Sequence, residues 1–199
     1  LDVLGHWIDE VLEPTPYPFA KGPAATDVGA GRALYETRCA GCHGKYEAGQ
    51  LTTMPGCMAE PAHFVDVGTD PLRAQAADAD FVDKLNTFGT EHGLWSSDSF
   101  SATGKYACPP LDGIWARAPY LHNGAVPTLE HLLLSPAQRP AKFRRGNPNY
   151  DTERGGFVWE LEKQPADGRT TSELETSLRG NWNIGHDIPI ENAADRKNL

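Results

Sequence analysis

The most distinctive chemistry in the sequence lies in the pentapeptide Cys39-Ala40-Gly41-Cys42-His43. This C-x-x-C-H spacing is typical of a c-type haem attachment site. Two thiols separated by two residues can add to the two vinyl groups on one edge of a porphyrin, and the next residue then lies beneath the iron as its proximal ligand. The sequence therefore predicts one covalent haem c, held by Cys39 and Cys42, with His43 as an iron ligand.

Two other kinds of site use paired cysteines, and the surrounding sequence favours neither. A thioredoxin-like C-x-x-C follows a strand in a βαβ unit, and no such pattern precedes residue 39. A zinc site would need a second paired cluster of ligands, whereas Cys57 and Cys108 stand far apart in the chain. A short helix with Asp27 as its N-cap is predicted over 27–36 instead, and it leads directly into the motif.

The two remaining cysteines are Cys57 and Cys108. Haem attachment through thioethers belongs to an oxidising compartment, where two spare cysteines are expected to pair as a disulfide. We therefore expect a Cys57–Cys108 disulfide and a periplasmic or otherwise exported location. Two separate buried thiols are the alternative, because a sequence does not give the distance between two side chains.

The composition and net charge limit the fold classes and the kinds of partner that are plausible for this chain. The 199 residues are only 39% hydrophobic and include 20 glycines and 16 prolines, so we expect one medium domain with short helices and long loops. A buried haem would enlarge a small core and bind only the folded state. The formal charge of −9, without a basic stripe, argues against a nucleic-acid partner. The basic stretch 139–145 is interpreted as a solvated loop, with a haem propionate or an acidic partner as lesser alternatives.

The predicted fold class is mainly α: a cytochrome c-like helical domain with long irregular loops and little β structure. Periodicity and capping signals predict helices over 1–12, 27–36, 71–88 and 128–134, a strand over 156–161 and the opening turns of a helix over 190–199. Within the second of these helices, Gly31 would allow another helix to approach closely. No apolar run reaches the length of a membrane span.

The predicted domain division places an N-terminal helix and linker at residues 1–19, which could end a preceding domain, and a single haem domain at 20–199. The chain starts at Leu1 without a leader or an initiator methionine. We therefore expect either that a leader has been removed or that the sequence is part of a longer product. The short helix at the other end suggests that the C-terminal helix is truncated.

The sixth iron ligand decides the chemistry of a haem. Methionine raises the potential, histidine lowers it, and an open position permits peroxide or oxygen chemistry. The methionines are Met54 and Met58, and the histidines outside the motif are His6, His63, His92, His122, His131 and His186. His6 and His131 are predicted to be solvated.

A long block at residues 110–129, PLDGIWARAPYLHNGAVPTL, resembles the signature of the dihaem cytochrome c peroxidase superfamily. It is most similar to the branch that includes the rubber oxygenases. The resemblance extends to YPF at 17–19, GTDPLR at 68–73 and GNWNIGH at 180–186, and the match is to the C-terminal haem domain of that family.

The resemblance implies an electron-transfer haem with two histidine ligands, and it makes His186 the sixth ligand opposite His43. Trp182 stands where the family usually has a small polar residue. Met54 or Met58 is the next candidate for the sixth ligand, and His122 is expected to order the loop near the haem by hydrogen bonding.

Haem propionates need hydrogen-bond donors, and the candidates in the family-like stretches are Arg73, Trp115 and Arg117. A surface ion pair is the alternative role for each arginine.

Three functions follow as hypotheses. The leading one is one-electron transfer with a redox protein as donor or acceptor. The second is peroxidase or oxygenase chemistry at an open haem, which in the family needs a second haem in an N-terminal domain that this sequence lacks. The third is a subunit docked on a larger redox complex. The chain is then either a single-haem relative or a piece of a longer dihaem enzyme.

Overall fold

The structure is a computed structural model that describes residues 7, 17–19, 25–53 and 64–199. The helices in the two long described ranges are short. They are α1 (Ala25–Arg38), α2 (Ala40–His43), α3 (Leu72–Ala76), α4 (Ala79–Glu91), α5 (Leu129–Leu132) and α6 (Ala193–Asn198). Single turns of 3₁₀ helix lie at Ile114–Arg117 and Pro136–Gln138.

The strands of the described residues form three two-stranded antiparallel sheets. The pairs are β1 (Lys45–Glu47) with β2 (Gln50–Thr53), β3 (Lys142–Arg145) with β6 (Ser172–Glu175), and β4 (Tyr150–Asp151) with β5 (Gly156–Phe157). In the β3–β6 pair, Phe143 lies opposite Leu174, and both are buried. These two residues and Ala125 form a core cluster against which the partly buried Trp159 packs.

The prediction of a mainly α fold is wrong. Helices make up only 31% of the described residues and strands make up 14%. The sequence signals identified most of the short helices but not the way in which the intervening segments are held. Those segments are fixed by hydrogen bonds between side chains and backbone, which leave no period in the sequence.

The predicted helix over 71–88 is two helices. Asp78 adopts an extended conformation, and its carboxylate accepts a hydrogen bond from the Phe81 N–H at 2.9 Å. An N-cap of this kind starts a new helix, α4, instead of continuing α3. The helix predicted over 128–134 is present as α5, whose N-cap is Thr128.

Three smaller differences concern element ends. The helix α1 extends beyond the predicted 27–36, so that Asp27 lies inside it. The predicted strand over 156–161 is reduced to the two residues of β5. The helix predicted over 190–199 is present as α6, which spans only Ala193–Asn198.

The helices α1 and α6 pack against each other at Gly31. This glycine is buried, and a Cβ at its position would overlap the backbone carbonyl of Asn198. The expectation that Gly31 lets another helix approach closely is therefore confirmed. The contact places α6 beside the helix that leads into the C-x-x-C-H motif.

In the ranges that the structure describes, no helix is both long and apolar enough to cross a membrane. The predicted helix over 1–12 and the boundary between residues 19 and 20 fall largely outside those ranges, so the domain division stays a prediction.

Candidate functional site

A cavity of about 1160 Å³ lies beside α2 and is large enough for a macrocyclic cofactor. Binding cavities for organic ligands generally span about 300–1,000 Å³. One wall carries Cys39, Cys42 and His43. Apolar side chains from four other segments complete the walls, among them Val67, Ile114, Leu121, Leu129, Leu133 and Ile188.

The C-x-x-C-H motif at residues 39–43 is held at the junction of α1 and α2. The N–H of Cys39 donates to the Tyr35 carbonyl at 2.8 Å, and the Tyr35 hydroxyl donates to the Gly44 carbonyl at 2.8 Å. Tyr35 therefore forms hydrogen bonds at both ends of the motif. Because α2 is helical, Cys39 and Cys42 are three residues apart on one side of the turn, and both line the cavity. Burial raises the pKa of the Cys39 thiol.

The imidazole of His43 is oriented by a backbone carbonyl. Its Nδ1 lies 2.8 Å from the carbonyl oxygen of Pro109. A carbonyl only accepts, so Nδ1 is the donor of this bond, and in the neutral ring the lone pair is then on Nε2. Metal-bound histidines typically make this bond with the nitrogen that does not bind the metal, because it fixes the ring and makes it a stronger ligand.

The second imidazole at the cavity belongs to His186. Its ring centre is 6.3 Å from that of His43, and the two ring planes are inclined by 49°. Two imidazoles bound to opposite sides of one metal ion by nitrogen bonds of about 2.0 Å have their ring centres about 6 Å apart. The pair therefore fits a single metal ion between the rings.

The protonation state of His186 suits a metal ligand. Burial, with the nearby His43 and Arg139, lowers the pKa of the ring, so that it is neutral at ordinary pH. A histidine must be neutral to bind a metal. Its Nδ1 is buried and has no hydrogen-bond partner among the described residues.

The loop that carries His186 is anchored at its start by Asp70, whose side chain is 0% exposed. One carboxylate oxygen accepts from the Leu72 N–H at 2.9 Å. The other accepts from the N–H groups of Gly180 and Trp182, at 2.7 and 3.2 Å. Burial acts to raise the pKa of Asp70, but the three N–H donors and His122 outweigh it and the pKa is lowered.

Two further contacts hold the same loop. The side-chain amide of Asn123 donates to the carbonyls of Gly180 and Trp182, at 3.1 and 3.0 Å. The N–H of His186 donates to the Val67 carbonyl at 2.7 Å. Gly185, at a φ of +76°, packs so closely on the segment that begins at Val67 that a Cβ would overlap the backbone there.

Arg139 anchors the loop at its other end. Its side chain is buried, and it donates to the carbonyls of Asn183, Gly185 and His186 at 2.6, 2.8 and 3.0 Å. Arg144, in the same basic stretch, donates to Leu161 and Thr171. The interpretation of 139–145 as a solvated loop is therefore wrong, because both guanidinium groups satisfy backbone carbonyls inside the fold.

The predicted propionate donors lie in different places. Trp115 and Arg117 line the cavity, and Arg117 also donates to the carbonyls of Pro110 and Asp112 at 3.2 and 2.8 Å. Arg73 lies off the cavity wall and donates to the His122 carbonyl at 3.1 Å. Each arginine thus contacts a backbone carbonyl.

The predicted disulfide stays a prediction. Cys108 is buried and lines the cavity next to Pro109. Cys57 lies outside the described residues, as do the alternative ligands Met54 and Met58.

The remaining histidines differ in burial. His131 is only 8% exposed, and its Nδ1 lies 2.6 Å from the Thr128 hydroxyl, so the prediction that it is solvated is wrong. His122 lines the cavity and stacks on Tyr106 with ring centres 4.3 Å apart. His92 stacks on Phe88 at the end of α4. His6 and His63 lie outside the described residues.

Sequence reasoning missed Asp70, Asn123, Pro109 and Arg139 as residues that position the two imidazoles. Asp70 and Asn123 lie within the stretches that resemble the family, but their residue types alone do not indicate that they position the imidazoles. The basic stretch that contains Arg139 resembled an ordinary solvated loop. No local signal distinguishes a buried arginine from a surface one.

Part of the sequence matches a known protein family, and two known proteins are similar to most of the chain. Residues 104–144 match the family described as RoxA-like, cytochrome c-like. Two uncharacterized proteins of Sinorhizobium fredii (strain NBRC 101917 / NGR234) are similar. One, y4iM, is 35% identical over 181 residues, which cover 78% of this chain and 38% of that protein. The other, y4iJ, is 29% identical over an alignment of 205 positions, which covers 79% of this chain and 33% of that protein.

The family match supports a cytochrome c-like, RoxA-related domain, and such a domain implies a haem c cofactor and a part in electron transport. The matched segment contains Pro109 and Arg139, the residues that hold His43 and His186. The chain spans well under half the length of the curated relatives it matches.

Proposed function

We propose that this chain is a periplasmic c-type cytochrome domain that transfers single electrons through one haem. Cys39 and Cys42 would bind the haem by thioether bonds, and His43 and His186 would bind its iron from opposite sides. The haem supplies an iron that alternates between the ferric and ferrous states.

The observation that carries this proposal is the pair of imidazoles at one cavity with ring centres 6.3 Å apart, next to the two cysteines. At this separation the rings have room between them for one metal ion but not for a substrate as well. A six-coordinate iron favours electron transfer, whereas peroxide or oxygen chemistry requires an open position.

The surrounding residues have three tasks on this proposal. The Pro109 carbonyl accepts from Nδ1 of His43, which would leave Nε2 as the nitrogen that binds the metal. The apolar side chains of the cavity wall would limit the access of water to the haem, which would reduce the change in solvation when the iron changes charge. Trp115 and Arg117, at the cavity wall, would contact the haem, while Arg73 would support the loop of His122.

The same site would serve a domain of a longer electron-transfer protein or dihaem enzyme. The observation that favours this setting is length, because the alignments cover only 38% and 33% of the two relatives. A pyridine haemochrome assay combined with the intact mass of the natural product would count haems per polypeptide and distinguish the two settings.

Spectroscopy of the chain matured with haem in a bacterial periplasm tests the proposal. We expect the haem to stay with the polypeptide in acidified acetone, and we expect low-spin spectra in both oxidation states. His186→Ala should give a high-spin ferrous haem that binds carbon monoxide, whereas His92→Ala, at a histidine away from the cavity, should behave like the wild type.

Two results would overturn the proposal. Release of the haem into acidified acetone would contradict the thioether bonds. A wild-type ferrous haem that is high-spin and binds carbon monoxide as readily as His186→Ala would contradict ligation by His186 and favour an enzyme with an open site.

A further inference from the structure

Arg139 is a buried cation without a buried anion as its partner. It is 5% exposed, and no carboxylate of the described residues forms an ion pair with its guanidinium group, although the exposed Asp187 is near enough to act on it electrostatically. Its partners are backbone carbonyl oxygens instead, which are those of His131, Leu132, Leu134, Asn183, Gly185 and His186. A buried charge is costly unless it is fully hydrogen-bonded, so six neutral acceptors indicate that the position has a specific task.

The six carbonyls belong to two segments of the chain. Three lie in α5 and the turn that follows it, and this segment contributes Leu132 and Leu133 to the cavity wall. The other three lie in the loop that ends at His186. The five N–H groups of a guanidinium form a rigid planar fork, which can hold two segments in fixed relative positions. Arg139 therefore ties the loop of His186 to the cavity wall.

The ring of His186 depends on its backbone for its position. Its φ is +47°, a left-handed conformation that a residue with a side chain rarely adopts. Its Nδ1 has no hydrogen-bond partner in the described part of the chain, unlike Nδ1 of His43. Its backbone is held by the bond from its N–H to Val67, and its carbonyl accepts from the Ile188 N–H and from Arg139, both at 3.0 Å.

We propose that Arg139 is a positioning residue for the sixth iron ligand, which keeps His186 on the iron and the sixth position closed to small molecules. This inference rests on the proposed function, since it assumes that His186 binds the iron. Loss of the guanidinium would release the carbonyls at 183, 185 and 186 together. The loop would then leave the iron open part of the time.

Arg144 provides a matched control. It is also a largely buried arginine that donates to backbone, through Nε to the Leu161 carbonyl at 2.9 Å, and it comes from the same basic stretch. It contacts neither the loop of His186 nor the cavity wall. Substitution of Arg144 should therefore lower the free energy of unfolding without changing the iron.

The experiment compares Arg139→Gln, Arg139→Lys and Arg144→Gln in the haem-loaded full chain. The readouts are the spin state and the rate at which the ferrous haem binds carbon monoxide. Replacing a residue that supports a metal ligand typically weakens metal binding by about 10- to 100-fold. We expect Arg139→Gln to accelerate carbon monoxide binding by about tenfold or more, Arg139→Lys to act in the same direction but less, and Arg144→Gln to match the wild type.

The outcomes distinguish a failure of the positioning role of Arg139 from a failure of the proposed function. If His186→Ala leaves the wild-type spectrum unchanged, the proposed function fails. If His186→Ala opens the iron but both Arg139 variants keep low-spin spectra and the wild-type rate, the positioning role is refuted. The role is also refuted if Arg139→Lys yields no folded haem protein while Arg144→Gln does, because Arg139 would then be a general determinant of folding.

Discussion

The buried carboxylate of Asp70 allows the sharpest test of how the loop of His186 is held. Asp70→Asn keeps the shape of the side chain but replaces one acceptor oxygen by an NH₂ donor. The wild-type carboxylate accepts three backbone N–H bonds, from Leu72 at 2.9 Å, Gly180 at 2.7 Å and Trp182 at 3.2 Å. An asparagine can satisfy at most the N–H groups on one side, and its NH₂ group then opposes a buried N–H on the other.

The expected cost follows from these bonds. A hydrogen bond to a charged group contributes about 1.5–3 kcal/mol, and a buried donor left unsatisfied costs about 1–3 kcal/mol. At least one buried N–H loses its acceptor and the bonds that remain are to a neutral oxygen, so Asp70→Asn should lower the free energy of unfolding by about 2–4 kcal/mol. Most domains have a total stability of only about 5–15 kcal/mol, so the change would be large.

The pH dependence gives an independent check. The pKa of Asp70 is lowered, although burial acts to raise it, because the N–H groups of Leu72, Gly180 and Trp182 and the ring of His122 favour the ionised form. The folded protein therefore binds this proton less readily than the unfolded chain, whose aspartates have a pKa of about 3.9. The stabilisation is fully present above that pH and is lost as the pH falls below it through the folded-state pKa.

Urea unfolding of the haem-loaded chain at neutral pH and at pH values down to about 3 measures both effects. Asp66→Asn is the control, because its exposed carboxylate accepts a single N–H, that of Gly68 at 2.9 Å. The difference between wild type and Asp70→Asn should shrink at the acid end. A loss at neutral pH below about 1 kcal/mol, similar to that of the control, would refute the reasoning.

Three further predictions concern the packing and titration of the fold. Gly185→Ala should cost about 3 kcal/mol or more, because its Cβ would overlap backbone, whereas Gly93→Ala, at a φ of +64° in open space, should cost about 1 kcal/mol; urea unfolding compares them. Phe143→Ala should lower stability by about 3–5 kcal/mol, since the ring is 1% exposed in the core, which thermal unfolding would detect. Burial lowers the pKa of His131, so stability should fall as the pH drops below about 6.5, and His131→Gln should reduce that slope in unfolding measured across pH.

Local sequence patterns were sufficient to predict the C-x-x-C-H site and most of the short helices. The C-x-x-C-H run contains all the residues that predict haem attachment within five positions. Thr128 before an apolar run marks the start of α5. Both signals depend on neighbours in sequence. The nomination of His186 instead came from resemblance, because its spacing alone has no meaning relative to residue 43.

The rest of the fold depends on contacts between distant residues. Asp70 accepts from Gly180 and Trp182, and Arg139 donates to carbonyls more than forty residues away. Such bonds join irregular segments whose residues follow no period, so the mainly α prediction overestimated the helical content. The error at 139–145 has the same origin, since six carbonyl acceptors compensate the burial of Arg139 and only the folded chain brings them together.

On the proposed ligation, the two imidazoles are held in different ways. His43 follows a covalently attached cysteine and donates to the Pro109 carbonyl, so local structure fixes its position and strengthens it as a ligand. His186 has no such partner for Nδ1 among the described residues, and its backbone is held by bonds to Val67, Ile188 and Arg139. His43 would therefore be the more firmly held ligand, and a movement of the loop that Arg139 contacts would reach the iron through His186.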